Sequence, residues 1–350
     1  MKTILCTLFN YYYLDKGLVL YDSLKKVSKD FRLYILCMDD KCYDVFEDIN
    51  YSEIVPIKLS DFEDDEMLEA KSNRTFGEYC WTCSSSFLLY VLEKYKEPIC
   101  TYIDADMYFY RDPEILIDEM LNAGKKVMIT PHRFSPANKH LERNGLYCVE
   151  FNTFINNSQS LNILKRWKQE CIDCCTSVND GIHFGDQKYL DTWPDNYPDI
   201  IHVCENWGAG IAPWNIEFFK RKNSIKHIVS LNDKNILVPI IFYHFADITY
   251  ISKNKIRTGV LANIDTIDYE LVRDLYVDYM NKIEEKKNYL RTKYGIEYMQ
   301  KSHPAYKSKN KWKELIKDNC VFRKLQQFFI SQKRSSYIID FDLIENFEVK

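Results

Sequence analysis

Two aspartates, Asp104 and Asp106, end the apolar run Ile99–Ile103 within the stretch ICTYIDADMYFYRDP (99–113). The run is short, with β-branched and aromatic members, and reads as a buried strand. A second apolar run, Met107–Tyr110, follows, and Arg111-Asp112-Pro113 then stops the extended pattern and opens a helix. Carboxylates two residues apart at the carboxyl end of such a strand lie where α/β sheets bind ligands. Leaving two charges beside an apolar strand is costly unless a cation compensates them. A hard divalent ion, Mg2+ or Mn2+, suits their oxygen atoms. An isolated Asp-x-Asp triplet arises often by chance as a solvated strand end or a helix cap, so the flanking pattern carries the information.

The elements around the triplet must position it. Lys2–Thr7 reads as a first strand with a carboxyl-end loop, Leu8–Tyr13, and Leu14–Val27 has helical spacing. Phe31–Met38 and Ile54–Leu59 read as strands, Asp61–Ala70 as an acidic solvated helix, and Ser72–Glu93 as a long helix capped by Ser72 or Asn73. Connections of this length argue for crossovers and a parallel sheet. A helix to Asn122, strands at Lys126–Thr130 and Tyr147–Ile155, a helix from the Asn156-Asn157-Ser158 cap to about Cys175, a short strand at Ile201–Val203 and a last strand at Ile236–Phe245 complete the core. No G-x-G-x-x-G follows the first strand, which weighs against a dinucleotide-binding Rossmann domain and a P-loop NTPase.

The 350 residues are 46% hydrophobic and 28% charged, enough for one large α/β domain with an appendage. A net charge of −4 gives no general reason for nucleic-acid binding. The aromatic content of 15% suits aromatic-lined clefts and equally a biased genome. No apolar run approaches the roughly 18 residues of a membrane span. The N-terminal run Ile4–Phe9 is too short for a signal-peptide core, which points to a cytoplasmic protein. The 12 cysteines are then expected as free thiols. Cys80-x-x-Cys83 and Cys171-x-x-Cys174-Cys175 invite a zinc reading, but both lie in helical stretches without knuckle punctuation, and buried apolar packing is the simpler account.

Four segments in order, the strand with Asp-Ala-Asp, HFGDQKYLDTWP (183–194), ENWGAGIAPWN (205–215) and IIFYHF (240–245), resemble bacterial GT-A type glycosyltransferases related to glycosyltransferase family 8, which act in lipopolysaccharide and other cell-surface glycan synthesis. The resemblance covers roughly residues 1–260. It implies a GT-A fold, α/β with a mostly parallel central sheet flanked by helices, in a catalytic domain of residues 1–262. Residues 263–350 would form a helical C-terminal appendage. By the same resemblance, Asp104, Asp106 and His244 match the metal ligands, with Mn2+ or Mg2+ as cofactor, and Asp104 also meets the donor diphosphate. Asp186 and Gln187 match the acid–amide pair beside the reacting carbon. Thr7, Phe9 and Asn10 match the loop that holds the base, and Arg74 a basic residue near the donor phosphates. The loop Trp207–Trp214, with Gly208 and Gly210, would wall the sugar cleft or simply pack. His244 is followed by Phe245-Ala246-Asp247 rather than the Gly and Lys frequent in relatives, and Cys148-Val149-Glu150 replaces an Asn-x-Gly.

The expected activity is transfer of a sugar from a nucleotide-diphosphate sugar, UDP favoured, to a glycan or lipid-linked acceptor, with retention. The alternative is a non-catalytic sugar-nucleotide-binding or scaffolding subunit of a glycan-assembly complex. A HAD-type phosphatase would continue its motif toward Thr, and a sugar nucleotidyltransferase wants a Gly-rich, Arg-containing loop after the first strand. The Lys-rich stretch Lys301–Lys317 and the aromatics of Phe322–Phe329 admit a peripheral contact with the inner face of a membrane. The plainer reading, solvated lysines on a helical appendage, is favoured because Glu314 and Asp318 interrupt the charge.

Overall fold

A computed structural model describes residues 2–222, 228–231, 236–252, 255–262, 266–297 and 335–340. The first eight strands are β1 (Thr3–Phe9), β2 (Phe31–Cys37), β3 (Ile54–Lys58), β4 (Ile99–Ile103), β5 (Met107–Phe109), β6 (Val127–Pro131), β7 (Tyr147–Ile155) and β8 (Ile201–Val203). All but β5 form a seven-stranded sheet in the order β3-β2-β1-β4-β7-β6-β8. Neighbours pair in parallel except at β7, which runs antiparallel to both β4 and β6. The expected α/β class with a mostly parallel central sheet flanked by helices is what the chain adopts.

The central strands are buried on both faces, which is why they read as continuous apolar runs. Along β1, Leu5 and Phe9 join one core cluster, with α1 (Leu14–Val27), α2 (Asp40–Ile49) and, further along the chain, α6 (Glu114–Asn122). Ile4, Cys6 and Leu8 point the other way. That opposite layer holds α3 (Leu59–Phe62), α4 (Asp65–Ser72), α5 (Phe76–Lys94), α7 (Ser158–Asp173) and the turn α8 (Trp193–Asn196).

Local signals account for the helix starts. The Asn157 side chain accepts from Gln159 N and Ser160 N, as expected at an N-cap. Helix α5 starts later than expected: its cap is Thr75, not Ser72 or Asn73, because Thr75 and Glu78 complete a reciprocal capping box. Asn73 closes the preceding short helix instead.

The expected single strand Ile236–Phe245 is two. A meander of β9 (Phe219–Arg221), β10 (Ile228–Leu231) and β11 (Leu237–Pro239) ends before Ile240, and β12 (Phe242–His244) pairs antiparallel with β5. It is not the last strand either. β13 (Thr249–Ser252), β14 (Lys255–Ala262) and β15 (Ser335–Asp340) form a further sheet, and the amphipathic helix α9 (Tyr269–Tyr294) packs Tyr276 and Tyr279 against Tyr243 and Phe245. Strand β15 was not expected in a C-terminal region read as helical. Lys301–Lys317 and Phe322–Phe329 lie outside the described residues. Among the described residues no helix is long and apolar enough to cross a membrane, and the described cysteines form no disulfide.

Candidate active site

Strand polarity brings the acidic side chains together. β4 delivers Asp104 at its carboxyl end, and antiparallel β7 arrives at the same edge with Ile103 opposite Phe151, so Asp104 N donates to Glu150 O at 3.3 Å. The β5–β12 pairing sets His244 opposite Met107, and Phe245 N donates to Asp106 O at 2.9 Å. His244 Nε2 thereby lies 3.1 Å from Asp106 Oδ1 and 3.7 Å from Asp104 Oδ2. Its other ring nitrogen, Nδ1, is 2.7 Å from Glu150 Oε2. A cavity of about 490 Å³ opens over these residues, lined among others by Phe9, Asn10, Tyr13, Trp81, Asp186 and Gln187.

The electrostatics of the cluster follow from crowded acids in a partly dry setting. Burial pushes Asp104 up to about 8, with Asp106, Asp186 and Glu150 adding to the effect against the pull of His244. Burial would also raise Asp106, but the hydrogen bond and charge of His244, with Lys16 behind them, hold it below the ordinary value. Lys16 Nζ sits 3.8 Å from Asp106 Oδ2 and 3.7 Å from the Tyr13 ring centre. Burial disfavours the charged His244, yet its bonds to Asp106, Cys148 and Glu150 raise it well above an ordinary imidazole.

This donor set fits a hard divalent cation. Two carboxylates lie within 3.7 Å of one imidazole nitrogen, and a third carboxylate takes the second ring nitrogen, the arrangement that orients metal-bound histidines. Cys148, Glu150 and His244 also offer ligand atoms within 4.8 Å of one another. That side is the poorer metal site. Burial drives the Cys148 thiol well above its ordinary value, which disfavours the thiolate a metal would need. Nδ1 is already engaged with Glu150.

Asp186 lines the same cavity and is buried. Ser84 Oγ donates to its Oδ2 at 2.6 Å, and Trp167 Nε1 donates to its backbone carbonyl at 2.9 Å. Burial pushes its carboxyl up to about 7 despite the Ser84 bond. Gln187 is held by its Nε2 donating to Asn144 O at 2.9 Å.

Other expected residues stand elsewhere. Phe9 and Asn10 reach the cavity, but Thr7 is wholly buried within β1 and is not on its wall. Arg74 is not on the wall: its guanidinium donates to Ile172 O at 2.9 Å, which ties α4 to the end of α7. Trp207 is 37% exposed beneath the Arg133 guanidinium, 5.0 Å from its ring centre. Gly208 and Gly210 serve packing. A Cβ on Gly208 would meet Pro239 O at 2.1 Å, and one on Gly210 would meet Glu150 Oε1 at 3.0 Å. From that loop only Trp214 lines the cavity. Sequence reasoning missed Glu150, Lys16, Ser84 and His132 as site residues. The visible signal for Glu150 was an acid in the middle of an apolar strand.

The chain is 32% identical over 265 residues to the uncharacterized protein YfnD of Bacillus subtilis (strain 168), spanning 74% of this chain and 81% of YfnD. It belongs to the YfnD family. YfnF of the same organism is 28% identical over 295 residues, 81% of this chain and 93% of YfnF. No family model matches the chain. Among solved structures, mouse xyloside xylosyltransferase 1 aligns at a TM-score of 0.46 and 12% identity over 71% of this chain and 98% of that one. The galactosyltransferase LgtC, in complex with donor and acceptor sugar analogs, aligns at 0.46 and 12% over 72% and 88%. GlyE of Streptococcus pneumoniae TIGR4 aligns at 0.45 and 14% over 87% and 66%. At these TM-scores no activity or residue role passes from those proteins to the YfnD-family chain.

Proposed function

We propose that this YfnD-family chain is a metal-dependent glycosyltransferase that moves a sugar from a nucleotide-diphosphate sugar, UDP favoured, to a glycan or lipid-linked acceptor. The observation that carries the reading is the approach of the Asp106 and Asp104 carboxylates to His244 Nε2, at 3.1 and 3.7 Å, on the wall of a cavity at the carboxyl edge of the sheet. Asp104, Asp106 and His244 would hold Mn2+ or Mg2+. A bound ion there supplies Lewis-acid stabilisation of the charge that develops on the departing nucleoside diphosphate.

The protein's own groups do the remaining work. Phe9 and Asn10, at the end of β1, line the cavity beside Tyr13 and would hold the nucleoside. His244, with Lys16 behind it, holds the Asp106 carboxyl below its ordinary value against burial. Asp186, fixed by Ser84, would stabilise the oxocarbenium-like sugar electrostatically, and Gln187, fixed by Asn144, would position it. The resemblance to glycosyltransferase family 8 supports retention of configuration. Arg74, Trp207 and Gly208 have no role in this proposal, since none lines the cavity.

The test is thermal unfolding of the wild type and Asp106→Ala with UDP, GDP and other nucleoside diphosphates, with and without Mn2+. Ligand binding only the folded state raises the melting temperature by mass action. A Mn2+-dependent rise with one nucleotide, lost in the variant, is expected. No rise with any nucleotide refutes the reading.

A further inference from the structure

Two residues on the cavity wall carry buried polar atoms that lack a hydrogen-bond partner among the described residues: His132 Nδ1 and Trp214 Nε1. Such atoms cost free energy when left unpaired and call for an explanation. The backbone of His132 is engaged at both its groups, and that of Trp214 at its carbonyl. His132 N donates to Leu146 O at 2.9 Å, and His132 O accepts from Asn215 Nδ2 at 2.9 Å. Trp214 O accepts from Ser135 N at 3.0 Å and from Asn138 Nδ2 at 3.1 Å.

The rings are equally fixed. His132 stacks on Phe134 at 4.6 Å and 12°, and meets Trp214 edge to face at 5.2 Å. Trp214 in turn stands perpendicular to His244 at 5.5 Å. Directly after His132 the chain turns through Arg133 at φ +48°, a left-handed conformation uncommon for such a residue. Two guanidinium bonds hold it there, to Ala209 O at 2.8 Å and Cys204 O at 2.6 Å. Strain held in place beside a cavity is a frequent companion of ligand sites.

The chemistry of the pair narrows the ligand. An indole nitrogen only donates, whereas a neutral imidazole nitrogen donates or accepts. Burial keeps His132 neutral. A purely apolar group would leave both nitrogens unpaired. A ligand that pairs them and also covers aromatic faces carries hydroxyls on a C–H framework.

We propose that His132 Nδ1 and Trp214 Nε1 form a sugar subsite, binding hydroxyls of a pyranose ring beside the Asp104–Asp106–His244 cluster. The proposal rests on the glycosyltransferase reading and deepens it. The sugar belongs either to the donor or to the acceptor.

The test uses His132→Phe and Trp214→Phe, which remove the polar atoms and keep aromatic rings. With Mn2+ present, affinities are measured calorimetrically for UDP and GDP and for UDP-glucose, UDP-galactose, UDP-N-acetylglucosamine and GDP-mannose. Methyl glycosides of the same sugars are then titrated onto the protein with and without nucleotide and followed by saturation-transfer NMR. The expected result is unchanged nucleoside diphosphate binding and a loss of roughly tenfold for one sugar-bearing probe. A loss confined to a sugar nucleotide assigns the donor's sugar; a loss confined to a glycoside assigns the acceptor's. In 15N-labelled wild type, which avoids any folding defect, one indole N–H resonance should move with that probe and not with the nucleoside diphosphate alone. Equal sugar affinity in variants and wild type, or a wild type that binds nucleotide but no sugar probe, overturns the subsite. A wild type that binds no nucleotide but loses glycoside affinity in the variants overturns the donor reading and leaves the subsite standing.

Discussion

Glu150 Oε2 lies 2.7 Å from His244 Nδ1, on the side of the ring opposite Asp104 and Asp106. That contact fixes which ring nitrogen faces the two aspartates. Losing such an orienting carboxylate commonly costs 10–100-fold in metal affinity. Glu150→Ala should therefore weaken Mn2+ binding by about tenfold or more, read from the free-Mn2+ electron paramagnetic resonance signal. Glu150→Gln keeps an amide oxygen as acceptor and should fall between Glu150→Ala and wild type. Wild-type affinity in Glu150→Ala would remove Glu150 from the metal centre.

Metal binding should depend on pH through Asp104. Its carboxyl stands at about 8 because of burial and the surrounding acids, and it must lose its proton to act as a ligand. Mn2+ affinity should rise from pH 6 to pH 8 by up to about tenfold per unit and level off above. In Asp104→Asn the remaining affinity should be lower and this rise shallower, though not gone, because His244, held above an ordinary imidazole, must still lose its proton to bind. A pH-independent affinity in the wild type would count against Asp104 as a ligand.

Much of the frame is legible in the sequence where one local signal dominates. The spacing of Leu18, Tyr21 and Leu24 marks a helix whose observed bounds, Leu14–Val27, are those expected. The apolar run before Asp104 marks β4. The rest turns on partners distant in sequence. Thr75 beats Ser72 and Asn73 as a cap because Glu78 answers it and also accepts from Ser177 N, ninety-nine residues away. The run Ile236–Phe245 reads as one strand if Pro239 is passed over, yet β11 ends at that proline, Gly208 O accepts from both Ile241 N and Phe242 N just beyond it, and the chain changes sheets. Glu150 and Asp104 meet only because β7 is antiparallel, which periodicity does not reveal.

The same crossing point makes Gly208 intolerant. An added Cβ would stand 2.1 Å from the Pro239 carbonyl oxygen, a backbone atom in β11 that has no rotamer with which to yield. Gly208→Ala should destabilise the protein by about 3 kcal/mol, the upper range for overpacking. Urea unfolding measures this. Gly124→Ala, where a Cβ would meet nothing within 4 Å but φ is +71°, should cost less. Equal midpoints for Gly208→Ala and wild type would show that the 207–210 loop moves freely away from β11.

Asp186 gives a stability signature that is independent of any ligand. Burial raises its carboxyl from an ordinary 3.8 to about 7. Between those values the folded chain keeps a proton that the unfolded chain has lost. The unfolding free energy must therefore fall as pH rises through that window, by at most about 4 kcal/mol, and flatten above it. Asp186→Asn cannot ionise and lacks this slope, although its amide must still satisfy Ser84. The melting temperature of Asp186→Asn minus that of wild type should accordingly grow from pH 4 to pH 7 and stay constant beyond. A difference that is flat across the window, or that shrinks, would mean that Asp186 is ionised in the folded chain throughout and acts as a fixed negative charge on the cavity wall.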